Sequence, residues 1–385
     1  MFAIPLAWLQ LQRERIRLLI ALAGIGFAVI LMFIQLGFQD ALFDSAVSLH
    51  KNLEGDVFLI SPQSTSLIAM RSFSQRRLYQ ALGFPGVESI SPIYMDFALW
   101  KNPKNQRTRG ILVMGFDPAD KVFSKELVPD VAPIQLPDVV LFDRLSREEF
   151  GPIAAMFATG NPVQTEVAGR RVTVGGLFDL GASFAADGNT ITSDLNFLRI
   201  FDRRSKGLID IGAIKLKPGT DLTQTLTVMR AQLQDTTNDV RVFSKAEFME
   251  FEKDYWRSST AIGFIFTLGT AIGFLVGTII VYQILYTDIT DHLPEYATLK
   301  AMGYKNTYLL SVVFQESLIL AVLGYIPGFL LAMGLYTLTR NATALPIAMT
   351  TERAILVLFL TIVMCVISGA LAVRKVQQAD PADIF

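Results

Sequence analysis

The sequence predicts an α-helical membrane protein with four transmembrane helices and a large α+β extracytoplasmic domain between the first and second. Three observations carry that expectation. The chain combines 51% hydrophobic residues with 18% charged ones, and its mean hydropathy is +0.42. Four apolar runs are long enough to cross a bilayer. Between the first two lies one long stretch, 39–257, in which charges, glycines and prolines interrupt every apolar segment. A net charge of −1 supplies no basic field for nucleic acid. The single cysteine, Cys365, sits in an apolar run and excludes an intrachain disulfide.

In chain order, residues 1–17 alternate Phe2, Ile4, Leu6, Trp8, Leu9 and Leu11 with glutamines before Arg13, Arg15 and Arg17. This pattern reads as a cytoplasmic amphipathic helix on the inner leaflet, with Trp8 at headgroup depth. The first span is 18–38, charge-free from Leu18 to Phe38. It exceeds the roughly 7–15 apolar residues of a cleaved signal peptide. The 39–257 region reads as two βαβ halves, at about 50–100 and 205–245, flanking a β-rich insertion at about 105–200.

The first half comprises Val57–Ile60, Ser74–Leu82 and Val87–Phe97, and the second Ile209–Leu216, Leu222–Leu233 and Val240–Phe243. Such halves suggest a split βαβ domain of the ferredoxin-like kind. Within the insertion, Val139–Phe142 reads as a strand. Val163–Val167 and Arg171–Phe178 read as a hairpin across Ala168-Gly169-Arg170. Ser244-x-x-Glu247 is a capping box opening a helix toward Tyr255 and Trp256, which fit an outer aromatic belt. Continuation of that helix through the second span, 258–286, would link the domain to the membrane rigidly.

The third span, 308–339, holds Glu316, Gly324 and Pro327. A short outer loop, 340–353, leads to the fourth span, 354–373, and the tail 374–385. Basic residues (Arg13, Arg15 and Arg17, then Lys300 and Lys305, then Arg374 and Lys375) fall on one side of a four-span protein. Both termini are therefore expected in the cytoplasm, with Arg340 and Arg353 as a mild counter-signal. Gly269, Gly273 and Gly277 share one helix face and allow close backbone approach, either at a dimer interface or within one chain. An ionisable residue in lipid is costly, so Glu316 should face protein, water or the inner interface. A hydrogen-bonding role fits it better than a proton relay, for which the sequence offers no further intramembrane partner.

The polar stretch 287–307 between the second and third spans holds the functional signal. Asp291 can cap a helix, Pro294 suits its first turn, and Gly303 suits a left-handed end. Tyr296, Leu299 and Met302 recur at helical spacing, while Glu295 and Lys300 stand where the helix dipole favours them. Such a helix either lies on lipid or docks against a soluble partner.

Glu295-Tyr-Ala-Thr-Leu-Lys-Ala-Met-Gly303 resembles the cytoplasmic coupling segment of the FtsX/MacB/LolC-type ABC transporter permeases. The longer string Asp291 to Tyr304 is similar to the DevC branch, the permease of cyanobacterial DevBCA-type exporters. So is Pro5-Leu-Ala-Trp-Leu-Gln-Leu11, while Glu316 with Gly324 eight positions on, and Asp380-Pro-Ala382, resemble the wider family. His292-Leu293-Pro294 departs from the family, which usually carries basic residues there.

The resemblance implies that a separate ABC ATPase subunit (DevA-like) docks at Glu295, Tyr296, Leu299, Lys300, Met302 and Gly303 of a likely homodimeric permease. It also implies a membrane-fusion protein (DevB-like), a TolC-like outer-membrane protein reached through it, and export of glycolipid or another amphiphile across the inner membrane. The two domain halves and the insertion would correspond to the family's porter-like and inserted subdomains. Alternatives within the resemblance are an FtsX-like permease that regulates a periplasmic hydrolase, and a lipoprotein-releasing permease.

The chain shows no Gly-x-x-x-x-Gly-Lys-Ser/Thr phosphate loop, so ATP and Mg are expected on the partner subunit. His50 and His292, the two histidines, fall on opposite sides of the membrane and cannot share a metal or a triad. Asp117, Asp120, Asp138 and Asp143 read as solvated loop carboxylates, and Ser61 to Ser66 as a polar loop. The expectation is a protein with no catalytic, cofactor-binding or metal-binding residue of its own.

Overall fold

The computed structural model describes residues 15–235, 238–295, 298, 302, 306–343 and 345–378, with backbone only for 306–310, 343 and 374–378. The predicted helix 1–17 thus lies almost wholly outside the described residues, as do the last seven residues of the tail. The chain divides into two compact units, one of residues 1–41 and 261–385, the other of 42–260.

Four helices are long and apolar enough to cross a membrane: Arg15–Ala46, Ala261–Asp291, Ser311–Ala342 and Thr351–Val373. The architecture is that predicted, with a strand-rich α+β unit between the first two. Helix α1 (Arg15–Ala46) outlasts the apolar run that ends at Phe38. Asp40, the first charge after that run, is matched in the same unit by Arg353, whose Nη2 donates to Asp40 Oδ2 at 2.6 Å. Arg353 also donates to the Ala348 carbonyl at 2.8 Å and is buried. It is a structural cation, and that accounts for a basic residue in the outer loop, against the charge rule.

Glycines set the helix packing. A Cβ at Gly324 would lie 2.5 Å from Ile25, and one at Gly328 2.7 Å from Val29. The third span is thereby pressed against α1, consistent with the small-residue packing of membrane helices.

Among the described residues the 42–260 unit is built on eleven strands, two of which, β2 (Phe73–Ser74) and β9 (Leu208–Ile209), form a small separate pair. The two predicted halves supply β1 (Val57–Ile60), β3 (Val87–Lys101), β10 (Ile211–Leu216) and β11 (Arg241–Ser244). They lie in the order β11-β1-β10-β3, and every pairing among them is antiparallel. Each half's strands are separated by a strand of the other half, as a split βαβ fold requires. The half-helices Gln75–Gln80 and Leu222–Met229 bury Leu78, Leu226 and Met229 in a cluster with Val57 and Leu59.

Strand β3 is 15 residues long, and its second half enters the insertion. There β4 (Thr108–Phe116), β5 (Val139–Asp143), β6 (Val163–Val167), β7 (Arg170–Phe178) and β8 (Asn189–Ser193) follow β3 in the order β3-β4-β8-β5-β7-β6. Strand β6 pairs back onto β3 through Trp100↔Val167 and Lys101↔Glu166. The insertion strands therefore close on β3, while β11 remains an edge of the sheet. The hairpin turn is tighter than expected, with both Ala168 (φ 51) and Gly169 (φ 79) left-handed, as a two-residue type I′ turn demands.

Strand β8, Asn-Thr-Ile-Thr-Ser, is too polar to read as buried, yet all five residues are buried. Its hydroxyls resolve the contradiction. Thr190 donates to the Leu141 carbonyl at 2.6 Å and Thr192 to the Val139 carbonyl at 2.8 Å, so no polar group is buried without a partner there.

The capping box is present, with Glu247 N donating to Ser244 Oγ at 3.2 Å and Ser244 N to Glu247 Oε2 at 2.7 Å. The helix Lys245–Asp254 does not run unbroken into the second span, as expected from sequence. Its continuation, Tyr255–Ser259, widens to π geometry and Thr260 is extended (φ −121, ψ 157), before a new helix begins at Ala261. Thr260 donates its hydroxyl back to the Trp256 carbonyl at 2.7 Å. That bond satisfies a carbonyl the ending helix leaves open.

Candidate functional site

The inner end of the second span carries the predicted coupling segment. Helical backbone persists to Asp291, past the expected cap, because Asp288 and Asp291 find partners on neighbouring helices. Asp291 pairs with Arg17 of α1. Asp288 forms a side-chain hydrogen bond with Glu316 of the third span. Glu316 is buried, and a bond between two carboxyl groups needs one proton. Asp288 is the intramembrane partner that the sequence did not reveal. Its signal was available, as the first charge after the charge-free run that ends at Thr287.

His292 is buried, its Nδ1 2.9 Å from the Asp288 carbonyl oxygen. The imidazole at this position thus faces inward. Glu295 continues in helical backbone. Thr298 donates its hydroxyl to the Pro294 carbonyl at 2.8 Å, and Met302 N to the Thr298 carbonyl at 3.0 Å. Met302 is 63% exposed. Tyr296, Leu299, Lys300 and Gly303 lie outside the described residues.

The glycine face of the second span packs within the chain. A Cβ at Gly269 would lie 2.5 Å from Gln35, one at Gly273 3.4 Å from Leu31, and one at Gly277 2.2 Å from Met364 and 2.7 Å from Ala28. These glycines thus seat the second span against the first and fourth. The opposite face, with Ile265, Leu268, Ile272, Leu275 and Ile279, is exposed.

The carboxylates of the 42–260 unit are structural. Asp138 is clamped by Arg170 at 2.6 Å and Arg199 at 2.9 Å, and the Arg170 hydrogen bond holds its carboxyl below the usual range. Asp143, expected in solvent, is fully buried at the end of β5. Asp117 accepts from the Ala119 amide at 2.9 Å in a turn. Burial pushes Asp120 up to about 6, with Asp117 adding to the rise. Among the described residues no three His, Cys, Asp or Glu side chains are grouped to hold a metal.

The C-terminal end of the second span thus leads into a short helical segment, beside side-chain pairs that tie that span to α1 and to the third span. Residues 261–381 match the family model described as FtsX-like permease C-terminal. That match covers the last three of the four spanning helices.

Among solved structures, the chain is similar to the periplasmic region of MacB from Actinobacillus actinomycetemcomitans, at 11% identity and TM-score 0.36, over 52% of this chain and 92% of that one. It is also similar to the extracellular domain of the noncanonic ABC-type transporter YknZ from Gram-positive bacteria, at 12% identity and TM-score 0.35, over 49% and 100%. A permease-protein domain from Porphyromonas gingivalis matches at 16% identity and TM-score 0.29, over 51% and 89%. These are distant likenesses.

Proposed function

We propose that this chain is the mechanotransmitting permease of an ABC exporter, driven by a separate ATPase that docks on Glu295, Tyr296, Leu299, Lys300, Met302 and Gly303. The observation that carries the proposal is the anchoring of the second span's inner end. Asp291 is tied to α1 and Asp288 to the third span, directly before the segment an ATPase would grip. A displacement applied there moves three helices together rather than bending one. The long helix Ala261–Asp291 then carries the motion toward the outer leaflet, since close-packed helices shift as rigid elements.

Both chain termini lie in the cytoplasm on this reading, and the 42–260 unit faces the periplasm. The permease acts as a homodimer with a membrane-fusion protein and a TolC-like outer-membrane channel. The cargo is a glycolipid or a similar amphiphile, as in the DevC branch that the 291–304 string resembles.

The test is cysteine crosslinking from Leu299→Cys or Met302→Cys to the candidate ATPase, with and without ATP. A crosslink whose yield changes with nucleotide is expected. Equal yields, or none, would return the segment to a lipid-surface role. Cargo-dependent stimulation of the ATPase then distinguishes export from regulation of a periplasmic hydrolase.

A further inference from the structure

Outside the site already described, the 42–260 unit buries a histidine and a glutamate side by side. His50, in the short helix Ser48–Asn52, is 1% exposed, and Glu252, in the helix Lys245–Asp254, is fully buried. Their Nε2 and Oε2 atoms are 3.9 Å apart, too far for a hydrogen bond. Both ring nitrogens of His50 lack a hydrogen-bond partner among the described residues. The ring stands edge-on to Phe248 at 4.4 Å. Glu252, by contrast, takes two donors: the Leu67 amide at 2.7 Å and the Trp256 indole N–H at 2.8 Å. One carboxyl group thereby ties together the 61–72 loop and the segment that leads to the break at Thr260.

The surrounding charges do not reach this pair. On the His50 helix, Lys51 turns to Asp44 at 3.0 Å. On the Glu252 helix, Lys253 lies 4.0 Å from Asp44 and Asp254 is paired with Arg257 at 2.7 Å. Arg241 stacks on Phe243 and Phe251 at 4.7 and 5.0 Å, Arg71 of the loop is exposed, and β1 contributes apolar residues. Burial therefore dominates. It pushes Glu252 up to about 7, against the two hydrogen bonds that lower it, and drives His50 down to about 3. That inverts the order of the two groups in water, where the imidazole is the stronger base.

We propose that His50 and Glu252 form a proton-binding joint in which the proton rests on Glu252 and the imidazole stays neutral. In the acid form, the Glu252 O–H is the one donor able to reach Nε2 of His50 and draw the two helices together. In the conjugate base, a full charge in a dry setting draws instead on Leu67 N–H and Trp256 N–H, because hydrogen bonds to a carboxylate are the stronger ones. The proton released goes to solvent. The joint thus shifts its grip from the His50 helix to the loop and the Trp256 segment as the surrounding pH passes neutrality.

The experiment uses the full-length chain in lipid nanodiscs with isotope-labelled tryptophan and histidine. Three tryptophans and two histidines keep the spectra simple, and Trp256→Phe and His50→Gln assign the signals. The Trp256 indole N–H resonance is expected to move in one step centred near pH 7, and the step is expected to vanish in Glu252→Gln, which cannot titrate and keeps one acceptor oxygen for the two donors. The His50 ring is expected to remain neutral from pH 8 to pH 5. A step that survives in Glu252→Gln overturns the proposal. So does a His50 ring that titrates at the ordinary value of 6.5, a reading that needs only the wild-type chain and holds even if the variant fails to fold.

Discussion

Replacing Asp143 by alanine removes the acceptor around which one end of the closed sheet is gathered. Its Oδ1 takes the amides of Leu145 and Leu180, each at 3.1 Å, and its Oδ2 takes the Gly181 amide at 2.9 Å and Asn189 Nδ2 at 2.8 Å. The side chain is fully buried, and burial raises its pKa although all four bonds lower it. Alanine leaves three backbone N–H groups without a partner, each costing about 1–3 kcal/mol if it stays dry.

Water entering the vacated space recovers part of that cost, so the net destabilisation is expected at about 3–5 kcal/mol, a large share of a domain's typical ~5–15 kcal/mol. Asp143→Asn retains one acceptor but sets its NH2 against the Gly181 and Asn189 donors, and should cost about 1–3 kcal/mol. Denaturant titration of the full chain, read by the fluorescence of buried Trp100, measures both. If Asp143→Ala unfolds within about 1 kcal/mol of wild type, the carboxylate does not organise this end of the sheet and the reasoning fails.

In the membrane unit, Gly277→Val would place a Cβ 2.2 Å from the Met364 sulfur and 2.7 Å from the Ala28 Cβ. Overpacking of this kind costs about 1–3 kcal/mol. Gly334→Ala, with nothing within 4 Å, is its control, and thermal unfolding in detergent should separate the two. Asp210, buried with Arg204 at its side, is pushed up to about 6 by burial. A raised carboxyl contributes its full stability below its unfolded value near 3.8 and loses it as pH rises to about 6, by up to ~3 kcal/mol. Denaturant midpoints at pH 4, 5, 6 and 7 should therefore fall more steeply for wild type than for Asp210→Asn, and equal slopes would refute the assignment.

What could be read from the chain was whatever obeys a local period or a local stop signal. The four spans, the six elements of the two βαβ halves and the Ser244 capping box are of that kind, because solvation in lipid, strand alternation and end-capping act over a few neighbouring residues. What could not be read depends on partners distant in sequence. Strand β8 is buried only because Thr190 and Thr192 reach carbonyls of β5. Asp143 is a core residue only because four donors from a strand, a loop and a turn converge on it.

The coupling segment was legible as a pattern from Glu295 to Gly303, but its anchorage was not. Asp288 looks like an ordinary interfacial acid until the third span brings Glu316 beside it. Local composition determined which segments enter the membrane and which form strands. The tertiary structure decided which polar groups are dry, because a polar group's cost inside a protein depends on the one partner that folding delivers.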